Sequence, residues 1–308
     1  MNHTEIFVGI DGSISSARAL EWAAAEAEDR SARLVVVYAS AVVDSAAYSS
    51  ATLGMIRADA AMYGERLLAE AIATVAAHHP ALRVTTMLWH QRPADVLSEL
   101  SGPHSLVVVG SRGANRVTGV LLGSVSQRVA GQAAGTVVVV GNSDPSGGRE
   151  LGILVGVTDS AGGRAALEFG CAEAAQRGSR VTAVRAYEVF GRSRRSPTYG
   201  PPGLRAHEAT ILRDAVSRIR TEHPGLTIDA RLVDEAPTAA LPALAFDAEL
   251  LVLGCRHPDD RWPSRLGPVT TTLLHHSPCP VAVVGIPRPA REPESLGAGM
   301  PVALTSGA

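Results

Sequence analysis

The sequence predicts an α/β protein made of two tandem copies of one doubly wound domain, and two observations lead there. Short β-branched apolar runs alternate with longer Ala-rich segments of helical period, the signature of right-handed βαβ units around a parallel sheet. The chain also repeats itself, since Val8-Gly9-Ile10-Asp11-Gly12-Ser13 returns as Val155-Gly156-Val157-Thr158-Asp159-Ser160, 147 residues on. Such self-similarity marks a duplicated unit.

Element by element, copy one reads as a strand at 6–10, a helix at 17–30 and further strands at 34–38, 84–88, 106–110 and 137–140. Five strands and about four helices per copy predict a flavodoxin-like layout, a five-stranded parallel sheet with helices on both faces. Later matches fall 144 residues apart, His79-Pro80 with His223-Pro224 and residues 106–110 with 250–254. The loop after the second strand is therefore three residues shorter in copy two. Boundaries follow at 1–141 for the first domain and 150–286 for the second. The polar, turn-rich stretch 142–149 is the linker, and the Pro- and Gly-rich 287–308 reads as a disordered tail. The Arg-, Ser- and Pro-rich stretch 191–203 reads as a long surface loop.

At 308 residues there is enough chain for two cores. Aromatics are 4% against 46% hydrophobic residues, so those cores must be Ala, Val and Leu, as buried parallel strands require. All 28 basic residues are arginine and none is lysine. That excludes the Walker A loop, the kinase lysine and Schiff-base catalysis. A net charge of -2 without a basic run excludes a phosphate-backbone footprint, so nucleic acid is not an expected partner. No apolar run approaches a membrane span and no leader is evident, so the expected location is cytoplasmic. Cys171, Cys255 and Cys279 show no metal spacing and are odd in number, which predicts reduced, structural thiols.

The chemistry gathers after the fourth strand, where Gly110-Ser111-Arg112-Gly113 is followed, after nine intervening residues, by Gly123-Ser124-Val125-Ser126. Glycines at Gly110 and Gly113 allow special backbone conformation and close approach. Gly123-Ser124 opens a helix whose free N–H groups and dipole suit an anion, with the Ser124 and Ser126 hydroxyls as further donors. Arg112 and Arg116 add cationic charge. Gly9, Ile10 and Asp11, at the end of the first strand, reach the same rim. Asp11 by itself reads either as a ligand acceptor or as a helix cap or turn residue.

These residues, Val-Gly-Ile-Asp-Gly-Ser with Gly-x2-Gly-x9-Gly-Ser, resemble the universal stress protein family in its tandem, ATP-binding form. The resemblance spans residues 5–286 and implies a HUP-type domain, related to the adenine nucleotide alpha hydrolases. It implies that Asp11 contacts adenosine, that the backbone near Ala39 bonds adenine, and that Gly110 meets ribose. Gly113, Gly123, Ser124 and Val125 would hold the phosphates of ATP, with magnesium as an optional companion. It further implies a role in stress survival or dormancy.

Copy two departs from the pattern. Thr158 stands where Asp11 does, His257 where Gly113 does, and Gly267-Pro268 where Gly123-Ser124 do. A ring in place of a glycine and a proline that removes an N–H both oppose phosphate binding, so one nucleotide per chain is expected. His257 lacks ligand-spaced Cys or carboxylate neighbours and reads as a substitution without chemistry.

Three readings stay open at this level: a nucleotide-binding regulator with an unknown protein partner, a slow ATPase or cyclic-nucleotide binder, and a nucleotide-free assembly module. The last strands of the copies could pair edge to edge, giving an internal pseudo-dimer able to dimerise again.

Overall fold

The computed structural model describes residues 3–41, 49–113, 122–141, 150–188, 203–255, 266–286 and 304–305. The linker 142–149, the loop 191–202, Arg116 and His257 lie outside the described residues. The chain divides into two compact units, Asn2–Asn142 with Pro287–Ala308, and Ser143–Ile286.

In the first unit, β1 (Glu5–Gly9), β2 (Arg33–Ala39), β3 (Val84–Trp89), β4 (Ser105–Gly110) and β5 (Thr136–Val140) form one parallel sheet in the order 3-2-1-4-5. The doubly wound, five-stranded class is as the alternating pattern predicts. The strand order is that of a Rossmann half rather than flavodoxin's own 2-1-3-4-5, which puts the switch point between β1 and β4. Helices α1 (Ile14–Asp29) and α2 (Ser50–His78) cover one face, and α3 (Pro93–Leu100) and α4 (Ser124–Gln132) the other.

The sequence explains how deeply individual strands are buried. Every residue of β4 (SLVVVG) and β5 (TVVVV) is buried, as expected of near-continuous apolar strands covered on both faces. By contrast β3 mixes buried and half-buried residues.

The second unit repeats the plan. β6 (Gly152–Gly156), β7 (Val181–Tyr187), β8 (Ile228–Asp234), β9 (Ala248–Gly254) and β10 (Val281–Val284) take the order 8-7-6-9-10, again parallel. Helices α5 (Ala161–Arg177) and α6 (Leu204–Glu222) lie on one face, α7 (Pro237–Leu244) and α8 (Pro268–His276) on the other. Leu304–Thr305 forms a short eleventh strand, β11, antiparallel to β3. Within the stretch read as a disordered tail, these two residues are therefore paired, and the rest lies outside the described residues.

The repeat extends to caps and ion pairs. Ser13 accepts from the Ser16 N–H at the start of α1, and Ser160 from the Gly163 N–H at the start of α5, each satisfying a free donor of the first turn. Glu26–Arg30, buried at 2.5 Å, recurs as Glu173–Arg177 at 3.3 Å. The three cysteines are buried. Burial pushes the Cys171 thiol up to about 12 and the Cys279 thiol up to about 11, so neither offers a thiolate near neutral pH.

His3 closes the first buried pair, its Nδ1 3.1 Å from Arg30 Nη1. Burial, and secondarily the neighbouring Arg30 charge, lower its pKa to about 4. The unfolded chain takes up that proton near 6.5, so His3 supports the fold fully above pH 6.5, and this contribution is lost as pH falls toward 4. We expect denaturant midpoints of the wild type to drop across pH 6.5 to 4, by at most about 3 kcal/mol. A His3→Asn variant should lack that one-proton slope, and parallel pH profiles for the two proteins would show the reasoning wrong.

Candidate functional site

A cavity of about 310 Å³ opens in the first unit at the carboxyl ends of the strands. It lies at the switch point between β1 and β4, where doubly wound sheets bind ligands. Of the residues singled out in the sequence, Gly9, Ile10, Asp11, Ala39, Gly110, Arg112, Gly113, Gly123, Ser124, Val125 and Ser126 line it.

The lining has two characters. Val37 and Ala39 at the end of β2, with Pro93 and Leu97 of α3, make one apolar side. Gly110, Arg112 and Gly113 with the start of α4 make the other, and the cap of α4 is Gly123, which supplies no side-chain bond to the first turn. The N–H groups of that turn and the helix dipole therefore present a positive end to the cavity.

Asp11 holds the turn before α1 and does not cap the helix. Its Oδ1 accepts from the Ser13 N–H at 2.9 Å, which fixes the turn entering α1, while Ser13 itself caps the helix. Its Oδ2 looks toward Gly113, 3.0 Å from where a Cβ there would stand. The tight turn is possible because Gly12 adopts φ +82, with the Tyr63 hydroxyl against its open side.

Three expectations about individual residues need correcting. Gly110 and Gly113 do not carry a left-handed backbone; the positive φ belongs to Gly12. Gly110 is required by packing, because a Cβ there would come within 2.6–2.7 Å of the Ser15 backbone. Its place under the first turn of α1 accounts for the glycine. Ser126 also differs, since its hydroxyl donates to the Gly110 carbonyl at 2.6 Å and is committed to holding the loop.

Ser111 does not line the cavity. It is buried, its N–H donates to Val140 O at 2.8 Å, and its carbonyl accepts from Gly123 N–H at 2.7 Å. It thus ties the end of β4 to β5 and to the cap of α4. Ser13 Oγ donates to the Arg112 carbonyl at 3.2 Å, a second tie between the turn before α1 and the glycine loop.

Sequence reasoning missed Ser16, Val37, Pro93, Leu97 and Val109. Pro93 carried a usable signal, being a repeated proline at the first position of a helix. Val37 and Val109 look like any core valine until the register Gly9↔Val37 puts the former beside the cavity floor. Leu97 is there because Gly9 leaves room for it, a Cβ at Gly9 falling 2.8 Å from Leu97 Cδ1.

In the second unit the corresponding wall is remade. Gly163 stands at the position of Ser16, and a Cβ there would overlap Thr158, the counterpart of Asp11. Thr158 Oγ1 lies 2.8 Å from Ser160 Oγ. The acidic and hydroxyl pair of the first unit is replaced by a threonine folded over a glycine. Gly267 caps α8, and Pro268 at its first position has no N–H to offer a ligand.

Among the described residues no cluster of three His, Cys, Asp or Glu is placed to hold a metal ion, and no helix is long and apolar enough to cross a membrane.

Fold and cavity together define a tandem doubly wound α/β protein with a glycine-lined cavity at the switch point of its first unit. The chain belongs to the universal stress protein family, whose family model matches residues 3–141 and again 152–285. A universal stress protein of Mycobacterium tuberculosis is 28% identical over 303 residues, covering 92% of this chain and 95% of that one. One from Mycolicibacterium smegmatis is 28% identical over 285 residues, covering 91% and 96%. The crystal structure of a universal stress protein from Archaeoglobus fulgidus matches with a TM-score of 0.65 at 16% identity, over 92% of this chain and 99% of that one.

The two kinds of glycine separate in experiment. Gly110→Ala should lower stability by about 2 kcal/mol or more, since its Cβ meets backbone that cannot swing away. Gly113→Val should leave the midpoint of unfolding nearly unchanged while filling the cavity. Thermal melts of both variants check this, and a stable Gly110→Ala protein would refute the packing role.

Proposed function

We propose that the first unit binds an adenine nucleotide, with ATP the leading candidate, and that the protein acts through its bound state as a regulatory factor in stress response or dormancy. The observation that carries this reading is the two-sided cavity. An apolar slot formed by Val37, Ala39, Pro93 and Leu97 suits a flat base, and the opposite side is a glycine loop opening onto the N-terminus of α4. Helix N-termini attract phosphate through unpaired N–H groups and the dipole together. Arg112 adds the cationic charge that lines the same side.

In this reading Asp11 Oδ2 accepts from the ribose or base, Ala39 offers backbone to the base edge, and Gly113, Gly123, Ser124 and Val125 surround the phosphates. Asp11 is the one carboxylate among the described lining residues. Magnesium entering with a triphosphate would therefore take most of its ligands from phosphate oxygens and water, the manner in which that ion usually binds.

Chemistry beyond binding has little to draw on. The chain contains no lysine, and the described lining offers no carboxylate pair for positioning a metal and water. Turnover should stay well below about 1 per second, and occupancy can change the protein's state only by its differential affinity for two conformations.

Nucleotide released by denaturing the purified protein, identified by mass, should be an adenine nucleotide and amount to one per chain. Two equal sites in calorimetry would refute the loss of binding in the second unit. Competition between ATP and cyclic AMP distinguishes the two ligands, because only a triphosphate exploits the whole length of the glycine loop. Rapid metal-dependent phosphate release abolished by Asp11→Ala would make the protein an ATPase and end the regulatory reading.

A further inference from the structure

We propose that the outer edge of β3 is a strand-acceptor site and that its occupant is the segment of this chain around Leu304–Thr305. The case begins with what β3 lacks. An open sheet edge presents unpaired N–H and C=O groups to any passing strand, and proteins blunt such edges with charge, proline or bulges. β3 reads Val-Thr-Thr-Met-Leu-Trp, without a charge, a proline or a glycine.

The second unit shows what a guarded edge looks like in the same fold. At the matching place β8 carries Asp229, Arg231 and Asp234, where the first unit has Thr85, Met87 and His90. Asp229 is exposed enough to pair with Arg180 at 3.4 Å across the strands. One copy therefore defends its edge with charges that the other has lost or never had.

The structure puts a strand on the undefended edge. β11 lies antiparallel to β3, with Leu304 opposite Thr86 and Thr305 opposite Thr85. β3 is thus paired on both sides, parallel to β2 within and antiparallel to β11 without. The sequence there, Val302-Ala303-Leu304-Thr305, is uncharged and rich in strand formers. Main-chain pairing of this kind needs no side-chain pocket. About 17 residues, 287–303, separate the second unit from this strand, enough to reach roughly 55 Å when extended.

Occupancy of this edge bears on the candidate site through one shared strand. Ala39, which lines the cavity, pairs with Trp89 of β3, and Ser40 N–H donates to Trp89 O at 3.0 Å. The strand whose outer side receives β11 is the one that holds the cavity-lining end of β2 in place. Release of the segment opens β3 to strand addition by a second copy.

The test compares the full chain with one lacking residues 300–308 and with a full-length Leu304→Pro, Thr305→Pro double variant, which removes both N–H donors. Hydrogen exchange of peptides covering 84–89 should accelerate about tenfold or more in both, with β1 and β4 unchanged. A synthetic 300–308 peptide should restore the truncated chain's protection. A truncated chain that keeps its β3 protection by gaining mass in sedimentation, and loses that mass when the peptide is added, supports the same acceptor edge. Unchanged β3 exchange at unchanged mass would overturn the proposal, as would acceleration in the truncated chain alone.

Discussion

The first unit is organised by one close approach, the first turn of α1 against the end of β4. At Gly110 there is no room for a Cβ beside Ser15, so the helix sits lower on the sheet than any larger residue would allow. That contact brings the turn Asp11–Ser13 next to the glycine loop, where Ser13 Oγ bonds the Arg112 carbonyl. Asp11 Oδ2 then faces Gly113 across the cavity. Move α1 outward by the width of a methyl group and the carboxylate no longer faces the loop.

The second unit keeps the same approach beneath a different wall. Gly162 and Gly254 meet where Ser15 and Gly110 do, and a Cβ on either would overlap the other's surroundings. The helix-to-strand packing is thus kept, and is even tighter. What has changed is the wall above it, with Thr158 over Gly163 and Pro268 at the head of α8.

A similar division appears at the outer strands. β8 is kept apart from other chains by its own charges, whereas β3 relies on a strand from far along the chain. Charge is a local solution encoded within the strand, and pairing is a non-local one that needs a distant segment to arrive. The first unit can use the second device because its outer strand borders the one that ends in the cavity.

Much of this was legible in the residues alone. The duplication, the strand-helix alternation and the glycine loop follow from spacing and periodicity, which depend on local geometry and need no coordinates. Most of the cavity lining followed too, since Asp11, Gly113, Gly123 and Ser124 lie beside recognisable strand ends and a helix start. What required the tertiary structure was the purpose of individual residues. Gly110 proves to be a packing glycine, Ser126 holds a carbonyl, and Ser111 is a buried tie, because each role depends on a partner distant in sequence or hidden behind the loop. Ser16, Val37 and Leu97 reach the cavity through helix seating and strand register, and the pairing of Leu304–Thr305 with β3 joins residues more than 200 positions apart. A sequence states which local conformations are favourable, and only the packed chain decides which side chains those conformations bring face to face.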